Sequence, residues 1–583
     1  MCGITGIYKF DKSEISKKII FDMNETLSHR GPDGGSIWID KRIGLGHKLL
    51  KIQDLSDDSI QPFSYKNLVL TFNGEIYNFQ ELSDELKKNG YVFETSSDTE
   101  VVIKAFDFWG VNCIHNFFGS FAFAVYNKET EDLYLIRDRY GIKPLYYFES
   151  KQKEISFASE IKAILKNPEV KTGFNYDMLG VALSCNLWLS PNSSYFNHIK
   201  LLEAGTYLKC NKSGVEKNNY YSIKNLPNNK FEKEVIEEFK ILINNSVKDK
   251  LISQVPVAAF LSGGIDSSLV CKLAKQNYKE ILSTYTIHYT LKEDDYLFAK
   301  KMIEEEKFKG HNIWVSPSDY SIENIDKVIY HMEEVPVDKV YIPMYLNYGA
   351  AKKDKFKVIL SGQGSDEPWM GYIFTWDIFK QLGDKFSLKF LTDSFYCGEN
   401  MILISKLKPD FLQKAKKAVG LHLKDNLFKS SSEDQLNDYS VFATKTIMHN
   451  LLLQEDKLGM SHSIECRVPF VDDHRIMELA LSTPSSIKIK DGREKYVIRE
   501  ASRDSLPREI VDRSKNPFSE PHGRLYEEFI NSICLSNWAY ISESKILNNI
   551  LKDGSMKKMD DFSSIELWWL LCIWRFEKIF NIF

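Results

Sequence analysis

The chain is poor in the features that mark secreted, metal-clustered or membrane proteins. Its 583 residues carry only nine cysteines, at 2, 113, 185, 210, 271, 397, 466, 534 and 572, with no Cys-x-x-Cys or Cys/His metal spacing. Scattered cysteines in so long a chain argue against a disulfide framework and for a reducing, cytoplasmic setting. The start lacks a basic stretch followed by an apolar core, so no secretory leader is expected. The longest tempting apolar run, LWWLLCIW at Leu567 to Trp574, is far short of the ~20 residues a membrane span needs. A buried C-terminal helix is expected there instead. Charge of neither sign dominates: Lys plus Arg is 76 against Asp plus Glu at 80, a net of -4. That balance offers no basic footprint to a nucleic acid or an anionic membrane. Internal repeats and low-complexity segments are absent as well.

What is present divides in two. At this length roughly three to four units, or two large ones, are expected. The first part is a series of short β-prone runs punctuated by turn residues, among them GITGIYKF, RIGLGHKLLKI, LVLTFNGEIYN and FAFAVYN. These predict antiparallel strands, with helices over 78–88 and 98–108, ending in a hairpin near Ile223. The polar stretch KNLPNNKFEKE reads as a linker. From about Phe231 the pattern changes to helical periodicity broken by three compact strands, VAAFL, LSTYTIHY and FKVILSG. That alternation predicts a parallel sheet with ligands at the carboxyl ends of its strands. Beyond Trp376 the chain reads as nearly all helix. The domains are accordingly placed at 1–222 and 233–583, with 223–232 between them.

Three stretches carry chemistry. The chain begins MCGITGIY, so removal of Met1 would leave Cys2 with a free α-amine beside its thiol. A cysteine titrates near ~8.5 and an α-amine near ~7.7 to 8.0, so that amine is a plausible base for the thiol. In VAAFLSGGIDSS a buried strand leads through a glycine turn into a helix, which aims backbone N–H groups at an anion. The Gly-Lys-Ser/Thr of a Walker A loop is missing, which argues against a kinase or motor. FKVILSGQGSDE repeats the strand-turn design and adds Asp366 and Glu367. With Asp266 of the first turn, these carboxylates suit Mg²⁺ on a triphosphate, since magnesium takes one or two carboxylates plus phosphate oxygens. Taken singly, Asp266 and Asp366 also read as helix caps, Asn73-Gly74-Glu75 as a hairpin turn, Asp98 as the cap of TEVVIKAF, and Lys495 as a solvated lysine.

The motifs MCGITGIY, HRGPDGG, FNGEIYN, SSDTEVV, RDRYGIKPLYY, FASEIKA, LSGGIDSS, SGQGSDE, IECRVPFVD and GREKYVIRE, in this order, resemble the glutamine-hydrolysing asparagine synthetases across nearly the whole chain. The resemblance implies a two-domain α+β and α/β fold. An N-terminal-nucleophile hydrolase αββα sandwich would precede a parallel-sheet ATP pyrophosphatase domain with a helical C-terminal region. It implies that Cys2 attacks the side-chain amide of glutamine and that Asn73 and the Gly74 N–H form the oxyanion hole. Ile52, Glu75 and Asp98 would contact glutamine. Leu261, Ser262, Gly263, Gly264, Asp266, Ser267, Ile287, Ser361, Gly362 and Asp366 would hold ATP and pyrophosphate, with Mg²⁺ on Asp266 and Asp366. Lys495 would reach the reacting phosphate. The implied reaction activates a carboxylate with ATP, and ammonia then displaces AMP. Small-molecule partners follow, namely glutamine, ATP and a carboxylic acid such as aspartate, with a homodimer as the candidate assembly.

Two positions depart from the family pattern. Leu49 in GHKLL stands where an arginine clamps the glutamine carboxylate, and leucine cannot form that bidentate pair. If the run is a strand, Lys51 shares the face of Leu49 and offers a displaced point charge. Gln363 in SGQGSDE replaces a glutamate and can act neither as a base nor as a charge partner. It is the candidate acceptor-site residue, with Trp369 of the following PWMGY expected beside it. Aspartate leads as acceptor, ahead of a uronic acid on a glycan or a peptide carboxylate. An amine-using ligase and a non-catalytic regulatory relative are the remaining readings.

Overall fold

The structure, a computed structural model, describes residues 2–581 apart from 12, 57–59, 151–152, 186–191, 227–229, 291–293, 337, 373–402, 427–433 and 515–522. Strands Ile199–Leu201 (β10), Tyr146–Ser150 (β8), Glu154–Ala158 (β9), Gly3–Lys9 (β1), Ile43–Leu49 (β3) and Gly34–Asp40 (β2) join in that order into one six-stranded sheet. Gly214–Asn219 (β12), Thr206–Asn211 (β11), Leu133–Arg137 (β7), Gly119–Asn127 (β6), Leu68–Ile76 (β5) and Phe63–Tyr65 (β4) form a second. Ile4, Tyr8, Ile43 and Leu45 of the first sheet meet Val69, Ala124, Leu133 and Leu135 of the second. On the far side of the second sheet, Leu70, Phe72, Phe121 and Phe123 pack on Leu82, Leu86, Val102 and Ala105 of helices Phe79–Lys88 and Asp98–Trp109. Helix Lys17–Glu25 covers the first sheet through Ile20 and Met23 against Ile7. The result is the αββα sandwich. Alternation along β5 then decides a functional position: Val69 and Thr71 face the other sheet, Thr71 bonding Gly46 O at 3.2 Å, so Asn73 faces it too.

The second part contains a sheet in which Lys309–Trp314 (β15), Ser283–His288 (β14), Val257–Phe260 (β13), Val358–Leu360 (β16) and Glu465–Arg467 (β17) all run parallel. The three strands read from sequence are β13, β14 and β16; β15 and β17 are additions. β15 is an edge strand and is largely exposed, and β17 is three residues long with ionic ends, so neither carries an apolar run. Because β17 lies inside the region read as helical, the C-terminal part is, among the described residues, helical with one strand returned to the sheet. The expected buried C-terminal helix is Ser564–Phe580, opened by a Ser563/Glu566 capping box and burying Trp568 and Trp569. Among the described residues, no helix is long and apolar enough to cross a membrane, and Cys2, Cys113, Cys210, Cys271, Cys466, Cys534 and Cys572 are free.

One apolar cluster runs through both parts, joining Leu50, Ile52, Tyr140, Ile142 and Ile161 to Leu261, Val468 and Phe470. Buried ions cross the same boundary. Arg30 pairs with Glu160 at 2.9 Å and Asp456 at 2.8 Å, and Glu333 joins Lys162 at 3.3 Å to Lys457 at 2.9 Å. His29, Lys162 and Arg30 hold the Glu160 carboxyl well below the usual range against the opposing effect of burial. Removing one member of such a set strands the others in a dry interior, which is why it fixes how the two parts dock.

Candidate active site

Cys2 lies buried just before β1, and its backbone N–H donates to Asn73 Oδ1 at 2.9 Å. Asn73 Nδ2 is buried and has no acceptor in the protein. A donor withheld from the protein beside a buried thiol is an arrangement that suits an oxyanion. Gly74 completes the approach: a Cβ there would meet Ser120 O at 2.4 Å and the Phe121 Cα at 2.7 Å. Burial pushes the Cys2 thiol up, with the Glu75 and Asp98 charges adding to the shift.

A small cavity of about 40 Å³ opens at Cys2, lined also by Leu50, Ile52, Gln53, Asp54, Gln61, Phe72, Gly74, Glu75, Ser97, Asp98 and Thr99. Asp98 does not cap its helix. Ser97 does, accepting the Thr99 N–H at 3.2 Å, while the Asp98 carboxylate turns to β5 and accepts the Ile76 N–H at 3.0 Å. Burial pushes Asp98 up to about 6 despite that bond. Glu75 accepts from Gln53 Nε2, sits 3.6 Å from Arg467, and is raised well above the carboxylate range by burial and by Glu465. Ile52 lines the cavity while its carbonyl accepts Gln254 N–H at 3.0 Å from the second part.

The displaced charge suggested for Lys51 is not found. β3 ends at Leu49, so the strand parity that would have carried Lys51 to the cavity stops two residues early. Lys51 Nζ donates to Leu55 O at 3.1 Å, and Leu49 is buried against Gly34 on β2.

The second site is an open cavity of about 190 Å³ at the carboxyl ends of β13, β14 and β16. Its wall includes Leu261, Ser262, Gly264, Asp266, Ser267, Ile287, Ser361, Gly362, Gln363, Asp366 and Lys495. Of the residues that the family likeness assigns to ATP and pyrophosphate, Gly263 alone is off the wall. Its φ of +76° and the Ala299 N and Asp295 O atoms, 2.7 Å from any Cβ, make it the turn that seats the loop. The two glycine loops touch: a Cβ on Gly362 would meet Ser267 N at 2.8 Å. Lys495, at φ 53° and buried, bridges them, its ammonium 2.5 Å from both Asp266 Oδ2 and Asp366 Oδ1 and 3.2 Å from Ser365 Oγ. A left-handed lysine beside two carboxylates is backbone strain held at a working position. Asp266 Oδ1 is buried without a protein partner, a donor set that suits a cation.

Trp369 is not beside Gln363 on this wall. It is fully buried and packs edge-on against Phe239 at 5.2 Å, at the end of the short helix Asp366–Trp369. Glu367 also faces away, accepting Tyr372 OH at 2.7 Å, and burial together with Asp366 pushes it up to about 7.

Sequence reasoning missed Glu455, Arg499 and Arg513, all on the cavity wall. Glu455 accepts from Ser361 Oγ at 3.0 Å; Arg513 donates to Gly263 O at 3.2 Å and pairs with Asp295. Glu455 and Arg513 stand in none of the motifs above, so only the folded chain identifies them, whereas Arg499 lies inside GREKYVIRE, four residues after Lys495.

An αββα sandwich with a buried N-terminal cysteine, docked on a parallel sheet with paired glycine loops, defines the class: a glutamine amidotransferase-type domain joined to an ATP-pyrophosphatase-type domain. Residues 1–221 match the model of the glutamine amidotransferase domain, and 238–573 that of asparagine synthase. The chain is 30% identical over 558 residues to asparagine synthetase [glutamine-hydrolyzing] 3 of Bacillus subtilis, covering 91% of this chain and 89% of that protein. To asparagine synthetase [glutamine-hydrolyzing] 1 of the same organism it is 29% identical over 621 residues, covering 99% and 96%. The chain belongs to the glutamine-hydrolysing asparagine synthetase family. A solved glutamine phosphoribosylpyrophosphate amidotransferase from B. subtilis is 17% identical with a TM-score of 0.29, covering 53% of this chain and 65% of that one, too distant to argue from.

Proposed function

We propose that this protein is an ATP-dependent carbon–nitrogen ligase that takes nitrogen from a glutamine side chain and converts a carboxylic acid to its amide, with aspartate as the leading acceptor. The observation that carries this reading is the linkage of the two sites. Arg30 donates to Cys2 O at 3.0 Å and pairs with Asp456, and the adjacent Glu455 holds Ser361 of the nucleotide loop. A free-standing amidase or ATPase has no need of that connection.

In this reading, with Met1 removed, the Cys2 amine takes the thiol proton and sulfur attacks the amide carbon. Asn73 Nδ2 and the Gly74 N–H receive the oxyanion. Ammonia leaves, and water releases the acyl group from Cys2. In the second site the acceptor carboxylate attacks the α-phosphorus of ATP, pyrophosphate leaves, and ammonia then displaces AMP from the acyl-adenylate. The Ser262–Gly264 turn and the start of helix Ile265–Asn277 receive pyrophosphate, and Lys495 faces the reacting phosphate. Asp266 and Asp366 would hold Mg²⁺, which neutralises polyphosphate charge when bound. The domain limits 1–222 and 233–583 belong to the same reading.

Gln363 on the cavity wall favours a second reading, in which the acceptor is another carboxylate such as a uronic acid or a peptide side chain. Pyrophosphate release with ATP, Mg²⁺ and glutamine, measured across aspartate and these acceptors, tests both. Release that depends on none of them, with no amide formed, rejects the ligase.

Two expectations follow here. Glutamine must meet an ionised Asp98, so kcat/KM for hydrolysis should fall about tenfold per pH unit below about 6. The acidic limb is read from initial rates between pH 5 and 8, roughly the range over which such a group titrates, and its absence would show that Asp98 does not bind the ammonium. Gly362→Ala should raise the KM for ATP roughly 10- to 100-fold by pushing apart loops that touch at Ser267, with glutamine hydrolysis unchanged.

A further inference from the structure

The side chains that line the Cys2 cavity bring carboxyl groups and no cation. Of its described lining residues, Asp54, Glu75 and Asp98 carry carboxyl groups, Gln53 and Gln61 are neutral amides, and none is Lys or Arg. Four side-chain cations on neighbouring elements serve other partners. Lys48 binds Glu25 at 2.6 Å on the outer surface, and Lys51 is held by Leu55 O. Arg30 is taken by Cys2 O, Glu160 and Asp456. Arg467 is occupied by Glu465 and by the carbonyls of Lys250 and Ile252, and lies 3.6 Å from Glu75.

A free glutamine brings two opposite charges into this space. Its α-ammonium has Asp98 to pair with, while for its α-carboxylate the described lining offers no side-chain cation and the carboxyl groups of Asp54, Glu75 and Asp98 lie in the same cavity. An uncompensated carboxylate in a partly dry cavity is costly, whereas a neutral carbonyl at the same place accepts hydrogen bonds without that cost. Resting on the reading of Cys2 as the nucleophile, we propose that the preferred nitrogen donor is a glutamine with a free α-ammonium and an uncharged α-carbonyl, as in an N-terminal glutaminyl peptide. The chemistry is unchanged: the Cys2 thiolate bonds to the side-chain amide carbon, the C–N bond breaks, ammonia leaves, and water cleaves the thioester to give the side-chain carboxylate.

The test compares L-glutamine with L-glutamine α-amide on the purified full-length protein at pH 7, following conversion of the side-chain amide to carboxylate by NMR, so that spontaneous cyclisation is scored separately. Cys2→Ala sets the background. The expected result is a kcat/KM for the α-amide at least about tenfold above that for glutamine. Equal values, or a preference for free glutamine, would overturn the inference while leaving Cys2 as nucleophile. Turnover of neither donor above the Cys2→Ala background would remove the nucleophile reading itself, and this inference with it.

Discussion

Cys2→Ala is expected to lower glutamine-driven amide formation by at least about 10⁴-fold while leaving ammonia-driven formation within about twofold of the parent. The substitution removes only sulfur. The N–H that donates to Asn73 and the carbonyl that accepts from Arg30 both remain, so the local frame is kept. The two cavities share no lining residue, and ammonia supplied directly bypasses the first. Amide product is measured with glutamine and then with ammonium chloride at alkaline pH. Equal loss of both activities would mean that Cys2 supports the fold and not the chemistry; persistence of glutamine-driven product would place the nucleophile elsewhere.

Lys495→Met should abolish product from either nitrogen source, by at least about 10³-fold, because one fixed cation facing a reacting phosphate is among the larger single contributions to such a barrier. Glutamine hydrolysis should survive, since Lys495 lies on the other cavity. The same change leaves Asp266 and Asp366 without the ammonium that sits 2.5 Å from each. Stranding buried carboxylates typically costs about 3–5 kcal/mol, which a denaturation midpoint will register. Mg²⁺ should stabilise the variant more than the parent, because the two carboxylates no longer share themselves with lysine. If Mg²⁺ stabilises both alike, Asp266 and Asp366 are not its ligands. Retained pyrophosphate release would show that Lys495 is a structural tie between the loops and nothing more.

The sites were legible where chemistry is encoded in a short contiguous stretch. SGGIDSS and SGQGSDE announce strand, turn and helix by composition, and the fold places both at carboxyl ends of parallel strands that it brings into contact. Asn73 and Asp98 were legible only through the family likeness; by local rules they read as a turn and a cap, and the structure replaces the cap with Ser97. Glu455, Asp456 and Arg513 were invisible because each works through a partner far away in sequence. Arg30 to Asp456 spans most of the chain, and no periodicity reports such a pair. Trp369 was misplaced for a related reason: a bulky residue next to a functional turn faces the ligand or the core according to one backbone rotation, which composition does not reveal.

The sequence by itself determined the fold class, because period-two and helical patterning are local properties repeated over many residues. It singled out Cys2 and the two glycine loops as candidates, because the chemistries proposed for them need particular residues at fixed short spacing. Only the tertiary structure decided what charges surround them. The end of β3 at Leu49 turned Lys51 out of the donor cavity, three-residue β17 brought Arg467 to Glu75, and Lys495 came to rest between carboxylates from two other loops. Charge acts through space, so its balance at a site is fixed by which strands end where, and that is settled when the chain closes on itself.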